Sequence, residues 1–417
     1  MRHKRLVIAS AMVAIASTAL VGCSSGSAGT SSSASPKTIT MWIYPVIADE
    51  AAHRAYWDST IKAFEAKHED VTVKYEIYPW TNRDESLATA IAAGKGPDVV
   101  YLIPDQLPVY AKSIEPIESY LPKEQMDDIL PNVANSITID GHLMGAPILT
   151  SAQPLVCDAK AFEAAGVTEY PKTWADLMKL APIFKQHDIY ALSYFASPQV
   201  TLNMSFYPLL WQAGGTVFNK DGTKVAFNSK AGVEALQYMT DMAKNGYIEK
   251  DSITTFPSLE QTAIASNRVA CTWMNTPVDL KPFWGADAIK VLPPLTNQTS
   301  VSYGTVGSLS VLKGSANKKA AGEFAAFATN ADNVRVYDTA AGFFSPLKST
   351  GKLYDPNTTQ GALEATVPTT FVGQLFPSSR AVMGALSPEI QAALLGTKSP
   401  QQALDDAATS AQYLLKK

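Results

Sequence analysis

The stretch VTVKYEIYPWTNRDESLATAIAAGKGPDVVYLI, residues 71–103, determines the fold class. Residues 71–78 alternate apolar and polar side chains as a half-buried strand does, and residues 99–103 form a second apolar run. Between them, Thr81 and Asp84 resemble a capping box that opens a helix, and Gly94 follows its end. The stretch therefore predicts a strand, a helix and another strand in succession.

The sequence before this stretch repeats the same alternation. Residues 39–44 predict a strand, and residues 49–67 predict a helix with Trp57, Ile61 and Phe64 on one face. Five elements in this order are typical of an open α/β domain, in which helices cover a parallel sheet. Residues 137–148 predict a hairpin that turns at Asp140 and Gly141.

A second unit with the same alternation begins after Pro154. We expect strands over 155–158, 189–195 and 268–274, a hairpin over 217–227, and helices over 159–165, 173–184, 199–212 and 229–246, with a further helix opened by Ser258. Thr173 and Asp176 predict a capping box. Beyond residue 303 we expect a strand over 309–312 and helices over 318–328, 333–340, 388–395 and from Ser399 onward.

The N-terminus has the pattern of an export signal. Arg2, Lys4 and Arg5 precede an apolar run over residues 6–19, which is too short to span a membrane comfortably. Residues 20–23, LVGC, resemble the lipobox of exported bacterial lipoproteins. We therefore expect a signal peptide over 1–22, a lipid on Cys23 as the membrane anchor, and an extracytoplasmic protein. A cleaved signal without lipid, or an uncleaved anchor, is the alternative.

A low-complexity segment of Ser, Gly, Ala and Thr follows Cys23 and predicts a flexible tether over residues 23–36. Loss of residues 1–22 removes three basic side chains and moves the formal charge from -4 to -7. This sign disfavours nucleic acid as a partner. The other two cysteines, Cys157 and Cys271, lie in apolar stretches, so we favour unpaired core residues over a disulfide.

Signatures of enzymes are mostly missing. The sequence has no G-x-S-x-G, H-E-x-x-H, P-loop or paired C-x-x-C motif, and its histidines lack the spacing of metal ligands. The motif S-x-x-K occurs at residues 59–62 and 345–348, and keeps open a membrane-tethered serine enzyme of the penicillin-interacting type that uses Ser59 or Ser345. We predict no enzyme activity and no cofactor.

Aromatic and polar residues cluster where strands end, which is where open α/β sheets bind ligands. Sugar rings pack on flat aromatic side chains, while their hydroxyls need hydrogen-bond partners. We predict aromatic ligand contacts at Tyr44, Trp80, Trp273 and Tyr303, and polar contacts at Asp105, Gln106, Thr150, Ser151, Asn275 and Arg380. The alternative for each tryptophan is a place in the core.

Several motifs along the chain resemble the solute-binding proteins of bacterial ABC importers, in particular their maltose-binding-like carbohydrate group. The likeness rests on residues 92–99, 171–177, 211–215, 228–236, 268–270, 307–313, 320–327 and 395–404, and on Gly342 with Pro346. The chain departs from the group's usual pattern at Asn267, at Cys271, and at Phe343, Phe344 and Ser345, which intervene before Pro346. The turn at this pair often faces the ligand, so we add Phe343 and Phe344 to the candidate contacts.

This resemblance implies a two-lobed α/β fold of the periplasmic-binding-protein type II. The N-terminal lobe would comprise residues 37–150 and 304–340, and the C-terminal lobe residues 151–303 and 341–417. The resemblance also implies a monomer that closes on a neutral mono- or oligosaccharide and delivers it to permease subunits with their ATPase. A non-sugar solute, or an adhesin without closure, is the alternative.

Overall fold

The computed structural model describes residues 37–415. The predicted signal peptide, Cys23 and the tether therefore lie outside the described residues. The strands, in chain order, are β1 Lys37–Ile43, β2 Val71–Ile77, β3 Val99–Leu102, β4 Ile114–Glu115, β5 Thr138–Ile139, β6 His142–Leu143, β7 Ala146–Thr150, β8 Leu155–Asp158, β9 Tyr190–Leu192, β10 Val269–Thr272, β11 Ile289–Leu292, β12 Ser302–Tyr303, β13 Val306–Leu312 and β14 Thr370–Phe371.

Helices cover these strands and make up most of the regular structure. In chain order they are α1 Glu50–Glu65, α2 Arg83–Ala92, α3 Leu107–Tyr110, α4 Lys123–Asp128, α5 Pro131–Ser136, α6 Ala159–Ala164, α7 Trp174–Gln186, α8 Tyr207–Gln212, α9 Lys230–Lys244, α10 Pro277–Trp284, α11 Lys318–Ala328, α12 Ala331–Ala341, α13 Thr359–Glu364, α14 Ser379–Leu394 and α15 Pro400–Leu414.

Two sheets with separate hydrophobic cores give the molecule its two lobes. The N-terminal sheet has the order β2-β1-β3-β13-β4, with β7 also paired to β13. Its core includes Trp57, Phe64 and Leu309, together with residues of α11 and α12. The C-terminal sheet has the order β11-β8-β10-β9, and its main core takes in residues of α7, α8, α9, α14 and α15.

Local sequence signals explain several of these elements. The Asp49 side chain caps α1 by accepting from Ala52 N at 2.7 Å, and the predicted face of Trp57, Ile61 and Phe64 is buried. The capping box of Thr173 and Asp176 opens α7 as predicted. Asp140 and Gly141 both have positive φ, 51° and 82°, as the turn between β5 and β6 requires.

Two predicted helices form only in part. The helix expected over 199–212 is limited to α8, because Pro208 has no N–H and fits only the first turn. The helix expected from Ser258 is replaced by two 3₁₀ turns, Leu259–Gln261 and Ala263–Ser266, separated by the extended Thr262.

The hairpin predicted over 217–227 forms in a short version. Phe218 and Val225 make an antiparallel bridge, the Asn219 N–H donates to the Lys224 carbonyl at 2.9 Å, and Gly222 has a positive φ in the turn. Two further predictions about local structure were wrong. The helix expected over 388–395 begins at Ser379, because its buried face continues through Val382 and Leu386 ahead of Pro388. The helix α2 follows the left-handed Asn82 and has no side-chain cap, so Thr81 and Asp84 form no capping box.

Our preference for unpaired cysteines was also wrong. Strands β8 and β10 are antiparallel neighbours, and Cys157 lies opposite Cys271 in their register. The two form a disulfide across 114 residues of sequence. An apolar stretch around each cysteine is compatible with a pair as well as with a free thiol, and the adjacency of the strands decides between them.

The disulfide should stabilise the C-terminal lobe. We expect Cys157→Ala/Cys271→Ala to lose about 2–4 kcal/mol of unfolding free energy, because the open chain gains conformational entropy when unfolded. Denaturant titration measures this loss. Dithiothreitol should lower the melting temperature of the wild type and leave that of the double variant unchanged. Equal sensitivity of both proteins would contradict the prediction.

Candidate functional site

A cavity with a volume of about 990 Å³ lies between the two lobes. We call it the cleft. The N-terminal lobe contributes the segment from Trp80 to Glu85 together with Asp105, and the C-terminal lobe contributes residues 198–202 and the first turns of α14. A space of this size accommodates a small organic ligand and places it in contact with both lobes.

Trp80 forms an aromatic wall on the N-terminal side of the cleft. Its side chain is 42% exposed, whereas Tyr44, which stacks on it at 4.9 Å between ring centroids, is 1% exposed. Tyr101 meets both rings edge-on, and the Arg83 guanidinium lies 5.0 Å from the Trp80 ring centroid. The ends of β1 and β2 thus bring the predicted Tyr44 and Trp80 together, with Trp80 facing the cleft and Tyr44 supporting it.

Arg380 joins the lobes through two carboxylates. From the start of α14 it donates through Nε to Asp105 Oδ2 at 2.9 Å and through Nη1 to Asp84 Oδ2 at 2.6 Å. The buried Gln106 donates through Nε2 to the other oxygen of Asp84 at 2.5 Å. Of the predicted residues, Asp105 and Arg380 therefore line the cleft, and Gln106 lies behind Asp84 and positions it.

Tyr303 lies near this ion-paired group. Burial, followed by the negative charge of Asp105, raises the pKa of Tyr303 to about 12. Its phenol is therefore protonated at neutral pH. The residue belongs to β12, where the chain passes from the C-terminal lobe back to the N-terminal lobe.

Thr150 and Ser151 hold the chain where it crosses between the lobes. The Thr150 backbone exchanges hydrogen bonds with Phe344, at 2.8 Å and 3.0 Å. Ser151 bonds Thr305 twice, donating through its backbone N–H and accepting on its hydroxyl, both at 3.0 Å. These contacts use the backbone of both residues and the hydroxyl of Ser151 to join the crossover segments, and neither residue lines the cleft.

Four other predicted contacts lie away from the cleft. Trp273 is 7% exposed in the C-terminal core and donates to the Ser205 carbonyl at 3.3 Å. Asn275 accepts from the Thr272 hydroxyl. Phe344 is buried with Ala152, and Phe343 packs against the N-terminal core. The contact of these four with a ligand stays a prediction.

Sequence reasoning missed several residues that line the cleft. They are Asn82, Arg83, Asp84, Glu85, Pro198, Gln199, Val200, Thr201, Leu202, Met383, Gly384 and Ser387. Asp84 was assigned to a capping box and the segment 198–202 largely to a helix. Their position was a usable signal for Asn82 to Glu85, since these residues lie in the connection and first helical turn that follow the end of β2, where α/β sheets bind ligands.

The two S-x-x-K motifs do not form a serine–lysine pair in either case. Ser59 is exposed in the middle of α1. Ser345 is buried and accepts from the Leu347 backbone at 3.1 Å, while Lys348 donates to the Asp127 carbonyl at 2.6 Å. The structure thus gives neither serine a neighbouring lysine as a hydrogen-bond partner.

Residues 37–415 contain neither a metal-binding cluster nor a membrane-spanning helix. No group of three or more His, Cys, Asp or Glu in this range is arranged to hold a metal ion. Within the same range, no helix has both the length and the apolar character needed to cross a membrane.

Comparisons with known proteins agree with this architecture. The sequence profile described as bacterial extracellular solute-binding protein matches residues 48–335. A binding protein of Brucella abortus is 24% identical over 380 residues, which are 87% of this chain and 90% of that one. The diacetylchitobiose binding protein DasA of Streptomyces coelicolor is 28% identical over 197 residues, which are 46% of this chain and 44% of that one.

A solved structure extends the similarity over both lobes. It is an ABC transporter solute-binding protein from Thermotoga lettingae, bound with α-D-tagatose. It is 25% identical to this chain, with a TM-score of 0.72, and the match covers 91% of this chain and 100% of that one. The fold is therefore the two-lobed fold of type II periplasmic binding proteins.

Removal of the Arg380 side chain should favour separation of the lobes. The side chains of Arg380 and Asp84 are 45% and 40% exposed, so each ion pair contributes at most about 1 kcal/mol. We expect Arg380→Gln to raise the population of open molecules about twofold to tenfold, as read from distances between spin labels placed on the two lobes.

Lys398 provides a matched control. It also binds two carboxylates, Glu389 and Asp406, but all three residues lie on α14, α15 and their connection in the C-terminal lobe. Lys398→Gln should leave the distance between the lobes unchanged. If both variants, or neither, changed that distance, Arg380 would have no special role in joining the lobes.

Proposed function

Because the chain belongs to the family of bacterial extracellular solute-binding proteins, we propose that it is the substrate-binding lipoprotein of an ABC importer for a neutral mono- or oligosaccharide. The observation that carries this proposal is the exposed Trp80 ring beside hydrogen-bonding carboxylates in a cavity between two lobes. A flat aromatic face and fixed polar groups are what a sugar ring with its hydroxyls requires.

The charges in the cleft disfavour an anionic ligand and suit a neutral one. Arg380 is bound by both Asp84 and Asp105, so these three groups together carry one net negative charge. A ligand hydroxyl can share hydrogen bonds with ion-paired groups without leaving a charge unpaired, whereas a charged ligand would compete for one partner. The relatives named for diacetylchitobiose and bound with tagatose are consistent with this class.

The two-lobed form explains how binding is reported to a transporter. A solute that contacts both lobes stabilises the closed arrangement over the open one. The free energy by which it shifts this equilibrium equals the difference between its binding free energies for the closed and the open arrangement. We infer that permease subunits recognise the closed arrangement of a monomer. Hinge motion is expected at the crossovers around Ser151 and Thr305, because the chain passes between the lobes there.

Titration calorimetry with maltose, maltotriose, D-tagatose and N,N′-diacetylchitobiose tests the sugar assignment. We expect at least one to bind, and Trp80→Ala to weaken that binding about tenfold to a hundredfold because a stacked aromatic contact is lost. Tyr413→Ala, an exposed aromatic on α15, should leave the affinity unchanged. Binding of a charged solute, with no response to these sugars, would refute a carbohydrate ligand.

We further propose that a lipid on Cys23 holds the protein at the outer face of the cell membrane, with residues 24–36 as its tether. Cys23→Ala should abolish incorporation of labelled palmitate and release the protein into the soluble fraction. Cys157→Ala/Cys271→Ala provides the control and should remain lipidated. Membrane retention of Cys23→Ala would indicate another form of attachment.

A further inference from the structure

A second cavity of about 20 Å³ adjoins the cleft, and we call it the inner cavity. Asp105 and Met383 line both spaces, so the two are neighbours. Asn203, Tyr207 and Gln374 are among its other walls. This volume holds one water-sized group and excludes a sugar ring.

Tyr207 brings an unpaired hydroxyl to the inner cavity. It is the first residue of α8, its backbone N–H donates to the Leu202 carbonyl at 2.8 Å, and its side chain is 3% exposed. Its Oη is buried and has no hydrogen-bond partner within residues 37–415. A buried hydroxyl without a partner costs about 1–3 kcal/mol, which a bound group able to pair with it would recover.

Three other polar side chains of the inner cavity, those of Asp105, Gln374 and Ser379, are already engaged. Gln374 accepts from the Phe218 backbone at 2.8 Å and donates to the Asn219 carbonyl at 3.2 Å. Asp105 accepts from Arg380. Burial raises the pKa of Tyr207, so its phenol remains protonated and is able both to donate and to accept.

We propose that the inner cavity is a subsite for one hydroxymethyl group of the sugar, whose hydroxyl pairs with Tyr207 Oη. The inference rests on the proposed carbohydrate ligand. Val217, Phe218, Val372 and Leu375 also line the cavity and provide apolar surface for the methylene carbon, while the phenol matches a group that donates and accepts. The subsite therefore favours sugars that carry this hydroxymethyl group over their deoxy analogues.

Calorimetry on Tyr207→Phe with the same four sugars tests the subsite. For any sugar that binds, the measurement is repeated with its deoxy derivatives, each of which lacks one hydroxymethyl oxygen. We expect Tyr207→Phe to bind the parent sugar about tenfold to a hundredfold more weakly than the wild type does. One deoxy derivative should bind both proteins equally. The variant should melt no lower than the wild type, because it loses only an unpaired buried hydroxyl.

Tyr238→Phe is the matched control. Tyr238 also has a buried Oη in the C-terminal core without a hydrogen-bond partner among residues 37–415, but it lines neither the cleft nor the inner cavity. Its replacement should leave all affinities unchanged. If the wild type binds a sugar and Tyr207→Phe binds it equally well, the cavity holds only water and the subsite is refuted. If the wild type binds none of the four sugars, the carbohydrate proposal fails, and the subsite falls with it.

Discussion

The position of β13 in the N-terminal sheet is the constraint on which the two-lobed form depends. This strand pairs with β3, β4 and β7, although about 150 residues of the C-terminal lobe separate it from them along the chain. All seven of its residues are buried, so its backbone groups need partners inside the sheet. The chain must therefore return from the C-terminal lobe beside Thr150 and Ser151, and these crossovers join the lobes at the base of the cleft.

The same strand also shapes the aromatic wall. A side chain on Gly307 would place its Cβ 2.2 Å from Tyr101 Oη, so only glycine leaves room for that ring. Tyr101 in turn meets Tyr44 and Trp80 edge-on. A core strand thus fixes the ring that supports the exposed platform. Trp80 can keep one orientation while remaining 42% exposed, which lowers the entropy lost when a ligand stacks on it.

Local sequence signals made much of the fold predictable, whereas contacts between segments that are distant along the chain could not be predicted from them. The face of α1, the capping box of α7 and the turn at Asp140 each depend on neighbours within a few residues. The pairing of Cys157 with Cys271 depends on strands 114 residues apart becoming neighbours, which periodicity does not encode.

The candidate site shows the same limit. Tyr44 and Trp80 were found because parallel strands end at one edge of a sheet, and that rule needs no distant contact. Trp273 also follows a strand, yet it turns into the core toward Ser205, and strand position alone does not distinguish the two outcomes. Asp84 follows Thr81 at the spacing of a capping box. In the structure it instead accepts a hydrogen bond in the cleft from Arg380, almost 300 residues later.

The ion pairs of Arg380 are weak enough to leave closure under ligand control. At the exposures seen here they contribute together about 1–2 kcal/mol, which shifts an equilibrium between open and closed forms by roughly tenfold. A ligand bound at micromolar affinity provides about 8 kcal/mol. Stronger pairs would hold the empty protein closed and lower the apparent affinity, because only the open fraction admits a solute. Partial exposure of Arg380 therefore suits a receptor whose closed state has to report an occupied cleft.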